Sequence, residues 1–256
     1  MKPAPYKPSS FTQSGLDRFL NQIRQRGHTK LVDFALLNGL TLFRLEDHAL
    51  FEKEVKQLPF EGNEYLESGG IFFGECKNNN RNGYGLLYCT DYVYGAPQLY
   101  ECEWGAAIKG GLLTIGDNTW EKYEGEFNQQ YLRTGTGRWE NQDGDTYIGE
   151  WKDDRQNGQG KYTYPGGVVY EGNWKDNMAN GKGKCTWGDG SVYEGEWKDD
   201  SMHGQGKWTF TNGDYQIGTW ENNNQIGEQV HYSKEGELLE YNTYEDGKLI
   251  KIVEVL

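Results

Sequence analysis

The sequence predicts a mainly β protein: an elongated, single-layer antiparallel β-sheet solenoid of about seven hairpins, with a small N-terminal helical segment. Three observations point there. A Tyr-x-Gly-x-Trp motif recurs, clearest at Tyr147-Ile148-Gly149-Glu150-Trp151, Tyr170-Glu171-Gly172-Asn173-Trp174 and Tyr193-Glu194-Gly195-Glu196-Trp197, and Gly125, Gly149, Gly172, Gly195 and Gly218 stand 24, 23, 23 and 23 residues apart. A fixed period of this size signals a stack of one repeated unit rather than a closed core. Dipeptides favoured in tight hairpin turns end five residues before successive motif glycines, as Asp143-Gly144, Gly166-Gly167, Asp189-Gly190 and Asn212-Gly213. Finally, 36 glycines and 37 aromatics (9 Trp, 18 Tyr, 10 Phe) with only 35% hydrophobic residues suit a thin stack in which rings supply most of the burial.

Within each motif the side chains alternate. Tyr193, Gly195 and Trp197 share one face of a strand while Glu194 and Glu196 share the other, as in a half-buried strand. Nine and eleven residues after the motif glycine comes a GxG pair (Gly158/Gly160, Gly181/Gly183, Gly204/Gly206), where backbone takes positive φ or approaches a neighbour closely; the chain is expected to reverse there. A second alternating run follows, as in Lys184-Cys185-Thr186-Trp187 or Lys207-Trp208-Thr209-Phe210, so each unit is a hairpin. First-strand glutamates then face second-strand lysines across the ladder, in pairs worth a few tenths of a kcal/mol each. The aromatic ladder holds the stack together and the charges keep it soluble.

Weaker copies extend the period. Phe73-Gly74-Glu75-Cys76 is followed by Gly83 and Gly85, Tyr123-Glu124-Gly125-Glu126-Phe127 carries Phe for Trp, and a decayed last unit falls in 236–256. With these copies in place the chain resembles the MORN-repeat family (membrane occupation and recognition nexus), whose signature is YEGEW, then GxG, then a DG turn. The resemblance covers about residues 72–243. Departures fall at Cys102 in a glycine position, Gln216 in a tyrosine position, Gln229 in place of a GxG glycine, and in the long connection 89–99.

The two ends read differently. Residues 1–13, rich in Pro, Ser and Lys, are expected to be disordered. A small helical segment is expected over 14–60: Leu16, Phe19, Leu20 and Ile23 follow 3–4 spacing before Gly27, Leu31, Phe34 and Ala35 repeat it, and Phe51, Val55 and Leu58 do so again. This segment either covers the first open strand edge or docks onto another protein, with Leu16, Phe19, Leu20 and Ile23 as its contacts. The repeats occupy 61–243. Residues 244–256 form an apolar edge strand or cap, and Ile250, Ile252 and Val255 are candidates for strand addition or homodimer formation, which the resemblance also implies.

Charge narrows the partners. Net charge is -13; residues 1–69 hold 9 Lys/Arg and 9 Asp/Glu, which leaves 17 of the 26 basic and 30 of the 39 acidic residues in the repeats. So acidic a surface repels phosphate backbones and anionic headgroups, so nucleic acid is excluded and a membrane disfavoured. Four scattered cysteines and four scattered histidines lack metal-ligand spacing, and no GxSxG, P-loop or HExxH motif occurs. Carboxylate pairs such as Asp153-Asp154 and Asp199-Asp200 read as solvated turns. No enzyme, cofactor or metal is expected.

The expected function is therefore a non-catalytic structural scaffold or adaptor, an acidic repeat stack that binds other proteins and organises a multiprotein assembly. Its groove candidates are Tyr147, Trp151, Tyr170, Trp174, Tyr193, Trp197 and Trp220, each also accounted for by stacking on its neighbours alone. The resemblance implies cytoskeletal or ciliary assemblies, and, as the alternative, a phosphoinositide- or membrane-associating module. With no apolar spanning stretch and no secretory signal, an intracellular location is expected, cytoplasmic or with the cytoskeleton or cilium. Six basic residues and one acid within 1–30 leave a mitochondrial targeting segment as the alternative.

Overall fold

The computed structural model of the protein describes residues 13–38, 54–116, 119–245 and 247–255; the disorder expected over 1–13 falls outside them except for Gln13, which opens a helix. The described chain is mainly β, and every recorded strand pairing is antiparallel between strands consecutive in sequence. It divides into two compact units, residues up to Gly135 with Trp139–Gln142, and Thr136–Arg138 with Asp143 onward.

In the first unit two helices lie on a six-strand ladder. Helix α1 (Gln13–Gln25) ends at Gly27, whose φ of 92° is the left-handed turn in which Gly27 N donates to Arg24 O at 2.9 Å and His28 N to Ile23 O at 3.3 Å. Helix α2 (Thr29–Asn38) follows. Strands β1 (Glu54–Phe60), β2 (Gly70–Lys77), β3 (Asn80–Thr90), β4 (Pro97–Trp104), β5 (Ile108–Ile115) and β6 (Trp120–Phe127) pair in succession. Leu16, Phe19, Leu20, Ile23, Leu31, Val32 and Ala35 are buried on Ile71, Phe73, Leu86, Tyr88, Leu99, Leu113 and Ile115, so these strands are covered on the face that carries charge elsewhere. At roughly 1.5–3 kcal/mol for each large apolar side chain buried, this cluster anchors the helices.

Two expectations about this region are corrected. The helices cover a sheet face, with α1 on β2 and α2 on β4 and β5, rather than the first strand edge. The third helical stretch is instead β1: all seven of its residues pair with β2, Val55 points to the helix cluster, and Phe60 is buried on the opposite face. Apolar residues at Val55, Leu58 and Phe60 fit either period; pairing decides, because β2 would otherwise leave its amides unmet. Pro59 is tolerated because β1 is the edge strand. Phe51 lies outside the described residues.

On the opposite face of this unit Phe72, Leu87, Tyr100, Cys102, Trp104, Tyr123 and Phe127 are buried. The loop after β6 folds Tyr131 onto them, 5.8 Å from Phe60 and from Tyr100 and 6.3 Å from Trp104, while the Arg81 guanidinium lies over Phe60, Phe72 and Tyr131 and donates to the Tyr131 hydroxyl. Cys102 fits the glycine position because Gly110 stands opposite, where any Cβ would strike Glu101 O and Cys102 Sγ.

The second unit is a ladder of ten strands: β8 (Thr146–Lys152), β9 (Arg155–Thr163), β10 (Val169–Lys175), β11 (Met178–Thr186), β12 (Val192–Lys198), β13 (Ser201–Thr209), β14 (Tyr215–Glu221), β15 (Asn224–Tyr232), β16 (Leu238–Glu245) and β17 (Lys248–Glu254). Strand β7 (Arg133–Asn141) contributes residues to both units. The expected charge register is present, with Glu171 opposite Lys161 and Lys184, and Glu194 opposite Lys184 and Lys207.

The chain reverses at the DG-type dipeptides as expected but not at the GxG pairs; its other reversal is at the acidic pairs, which the sequence also reads as turns. The tight two-residue turn is at the acidic pairs: Lys152 pairs with Arg155 and Lys198 with Ser201, and Asp153 (φ 49°), Asp154 (64°), Asp199 (47°) and Asp200 (65°) are all left-handed. Two consecutive positive φ values define the type I′ hairpin turn, and Asp and Asn are the non-glycine residues that best accept them. The GxG pairs sit within strands β9, β11 and β13. At the DG dipeptides only the glycine turns left-handed, Gly190 at 91° and Gly213 at 93°, in longer loops closed by Trp187 N to Ser191 O and Phe210 N to Asp214 O. The acidic turns are structural as well as solvated: Asp200 Oδ1 accepts from Ala179 N at 2.7 Å and Asp200 N donates to Ala179 O at 3.1 Å, clasping the preceding hairpin.

Candidate functional site

The motif residues build an interior zipper. Tyr147, Tyr170 and Tyr193 are buried, and each hydroxyl reaches across a facing glycine pair to a backbone carbonyl: Tyr147 to Glu150 O at 2.9 Å, Tyr170 to Asn173 O at 3.0 Å, Tyr193 to Glu196 O at 3.1 Å. The second glycine of each GxG makes room, since a Cβ on Gly160, Gly183 or Gly206 would lie under 3.0 Å from the tyrosine ring. Each tryptophan donates its indole N–H to a glycine carbonyl of the preceding hairpin, Trp151 to Gly137 O at 3.4 Å, Trp174 to Gly160 O at 3.2 Å and Trp197 to Gly183 O at 3.2 Å. Rings then alternate edge to face: Tyr147 with Trp151 and Trp174, Tyr170 with Trp174 and Trp197, Tyr193 with Trp197 and Trp220, all at 5.1–5.4 Å. At about 0.5–1.5 kcal/mol per pair beyond area burial, this chain of contacts is a main source of cohesion. Burial pushes the three tyrosine hydroxyls well above the usual phenol range.

All seven groove candidates, Tyr147, Trp151, Tyr170, Trp174, Tyr193, Trp197 and Trp220, are therefore buried in this zipper and present no open groove. The accessible rings come from the second strand of each hairpin, which the motif reading passed over. Tyr164, Trp187 and Phe210 recur at the 23-residue period, each immediately before a glycine-containing loop, and all are exposed or half-buried. Behind them, at the same period, stand Tyr162, Cys185, Trp208 and His231. The two rows pack together: Tyr164 lies 4.2 Å from Tyr162, Trp187 4.7 Å from Trp208, and Phe210 5.6 Å from His231. Trp208 and Tyr162 in turn rest on the zipper, 6.0 Å from Trp220 and 5.9 Å from Trp174. The signal for this row was present in Lys184-Cys185-Thr186-Trp187 and Lys207-Trp208-Thr209-Phe210, whose alternation carries aromatics two residues beyond the buried position.

The end candidates divide. Leu16, Phe19, Leu20 and Ile23 are spent inside the first unit, whereas Ile250 (59% exposed), Ile252 (51%) and Val255 (46%) stand out to solvent on or just beyond β17. That strand pairs with β16 on one side, every one of its residues being exposed.

As chemistry the surface is quiet. No group of three or more His, Cys, Asp and Glu side chains among the described residues is arranged to hold a metal ion. The four cysteines are free and buried; burial pushes Cys185 up to about 11 and Cys102 well above its usual range, so both stay neutral thiols. No helix among the described residues is long and apolar enough to cross a membrane.

Comparison with known proteins fits the repeat reading. The MORN repeat family model matches residues 72–93, 147–169, 170–192 and 193–215. The unmatched intervals contain the departures at Cys102, Phe127, Gln216 and Gln229, yet the antiparallel ladder runs through them. No curated protein matches the chain. Among solved structures it is similar to the SAS-4 (dCPAP) TCP domain in complex with a proline-rich motif of Ana2 (dSTIL) of Drosophila melanogaster, at 12% identity over 59% of this chain and 86% of that one. The TM-score of 0.33 is too low for that likeness to bear on function.

Proposed function

We propose, from the premise that this chain is a MORN-repeat protein, that it is a non-catalytic scaffold or adaptor whose second unit holds a segment of another protein on the row Tyr164, Trp187 and Phe210. The observation that carries the reading is the periodic placement of these rings, Tyr164 exposed and Trp187 and Phe210 half-buried, over a buried Tyr/Trp zipper that fixes their positions. Exposed aromatics on a rigid support are what protein interfaces use as anchors, because little side-chain entropy is lost when they are covered. Two strands per repeat set the rings about 9.6 Å apart. Apolar side chains seven residues apart on a helix recur about every 10.5 Å, and those three apart on a polyproline II segment recur on one face about every 9.3 Å, so either backbone meets the row in register. In the first unit Tyr131 folds over the aromatic face instead.

The acidic balance of 17 basic to 30 acidic residues in the repeats favours a partner that is neutral or basic over an anionic membrane. Apolar side chains along the exposed strand β17 suit pairing with a second copy, joining two scaffolds at their C-terminal ends. Free buried cysteines fit a reducing compartment, where a cytoskeletal or ciliary assembly would be the setting.

Quantitative affinity purification with tagged full-length chain tests the reading. A Trp187→Ala/Phe210→Ala variant should keep its fold and lose a specific set of co-purifying proteins. Retention of every partner, or sedimentation of the wild-type chain with phosphoinositide vesicles at physiological salt, contradicts it. For the end contact, light scattering on the full chain and on residues 1–247 should give a dimer and a monomer, and equal masses remove the pairing.

A further inference from the structure

The connection between β3 and β4, where the repeat period is interrupted, is built unlike a slack insertion. Its Asp91 carboxylate accepts three backbone N–H groups, from Val93 at 3.0 Å, Tyr94 at 2.7 Å and Ala96 at 2.7 Å. Asp91 N donates to Ala96 O at 3.0 Å and Gly95 N to Asp91 O at 3.1 Å, closing the loop on itself. A second turn supports it: Asn63 Oδ1 accepts from Tyr65 N and Leu66 N at 2.8 Å, and Tyr92 N donates to Tyr65 O at 2.9 Å. Polar backbone groups that water could satisfy are thus bonded internally, which fixes the loop.

What the loop holds up is three large side chains almost fully in solvent, Tyr92 at 68%, Val93 at 75% and Tyr94 at 89% exposure, beside a partly exposed Tyr65. None of the three supports the core. Scattered exposed apolar residues are ordinary, but three consecutive ones on a loop braced by this many internal hydrogen bonds form a pre-organised projection.

The loop's own segments carry charge of one sign, and Arg26, which reaches this region from the end of α1, donates to Gly69 O. Glu64 and Glu67 flank Tyr65, Glu61 precedes them, and neither 61–69 nor 90–98 contains a lysine or arginine. Glu61, Glu64 and Glu67 are exposed, with Glu67 accepting from Thr90 Oγ1 at 2.6 Å. Tyrosine faces attract a guanidinium or ammonium through the ring quadrupole, and the carboxylates attract the same groups at longer range.

We propose that the Tyr92–Tyr94 loop is a second docking surface, which binds a segment of a partner protein carrying arginine or lysine next to an apolar side chain. The cation lies on the tyrosine faces and toward Glu61, Glu64 and Glu67, while the apolar side chain covers Val93. This surface belongs to the first unit and does not depend on the Tyr164, Trp187 and Phe210 row.

The test uses a displayed library of random peptides selected against the immobilised full chain, followed by solution binding of the synthesised winners. The expected result is enrichment of peptides that pair Arg or Lys with a large apolar residue. Their affinity should fall at least tenfold in Tyr92→Ser/Tyr94→Ser, severalfold in Glu64→Lys, and not at all in Trp187→Ala/Phe210→Ala, with unfolding midpoints unchanged in the tyrosine and glutamate variants because those side chains are exposed. Winners without basic residues, or winners that bind the tyrosine double variant as tightly as wild type, overturn the proposal. So does binding of the wild-type chain to phosphatidylcholine vesicles that the double variant loses, since that assigns the loop to a lipid surface.

Discussion

Gln229 lies directly over Gly218, and its amide nitrogen donates to Thr219 O at 2.8 Å and Ile226 O at 3.1 Å. One repeat earlier the Tyr193 hydroxyl occupies the same place over Gly195, its single proton shared between Glu196 O at 3.1 Å and His203 O at 3.3 Å. The last repeats therefore keep the linkage while exchanging its donor: the tyrosine position is Gln216, and the glycine opposite Gly218 has become the donor residue. Two departures from the repeat pattern are one compensated change.

This coupling is measurable. Gln229→Gly alone leaves two buried carbonyls without their side-chain donor and should cost about 1–3 kcal/mol. Gln216→Tyr alone drives a ring into the place Gln229 occupies and should cost a similar amount through overpacking, about 1–3 kcal/mol. The pair together restores the tyrosine-over-glycine arrangement and should cost much less than the sum. Urea unfolding of the four proteins gives the coupling energy, and additive losses would show that the two positions are independent.

Glycines of the two classes should differ. Gly206→Ala places a Cβ against the Tyr193 ring, which Trp197 and Trp220 hold in place, and should destabilise by about 3 kcal/mol. At Gly190 nothing lies within 4 Å of an added Cβ, and only its φ of 91° resists substitution, so Gly190→Ala should cost about 1 kcal/mol. Denaturant midpoints at constant slope report both.

At the type I′ turns, Asp200→Ala loses the acceptor for Ala179 N and places alanine at φ 65°, an expected loss of about 1–2 kcal/mol. Asp199→Gly at φ 47° relieves the same strain and should be neutral or slightly stabilising. Thermal unfolding ranks the two variants, and equal effects would argue against the clasp.

The buried tyrosines predict the alkaline limit. Tyr147, Tyr170 and Tyr193 have folded-state pKa values raised by burial, so the unfolded chain releases their protons first. Their contribution is fully present below the unfolded phenol value of about 10 and is lost as pH rises above it toward the folded values. Phenolate absorbance should develop in two phases, exposed tyrosines first and the zipper only with loss of near-ultraviolet circular dichroism. Tyr193→Phe removes one such group and should lessen the loss of stability above pH 10 relative to wild type.

Much of the fold was legible because single-sheet repeats write their contacts into a short period. The alternation of Tyr193, Gly195 and Trp197 against Glu194 and Glu196 named the buried and charged faces correctly, and the lysine partners followed from it. What escaped shares a cause: each depends on which of two compatible partners wins in three dimensions. Val55 and Leu58 fit helical spacing while Leu58 and Phe60 fit strand spacing, and only the open side of β2 decides. Asp-Asp and Asp-Gly both turn a chain, and pairing of Lys198 with Ser201 shows which makes the tight reversal. Tyr and Trp in the motif are large enough to bind a partner or each other. Mutual stacking consumed them, and the accessible rings fell to the less regular second strand.

Residue-resolved oxidative footprinting of the native full-length chain tests the central claim most directly, since it reads which aromatic rings meet solvent. Tyr164, Trp187 and Phe210 should be modified at least tenfold faster than Tyr147, Trp174, Tyr193 and Trp197. Comparable rates in the two sets, or faster modification of the motif residues, would contradict a buried zipper that carries an exposed second-strand row.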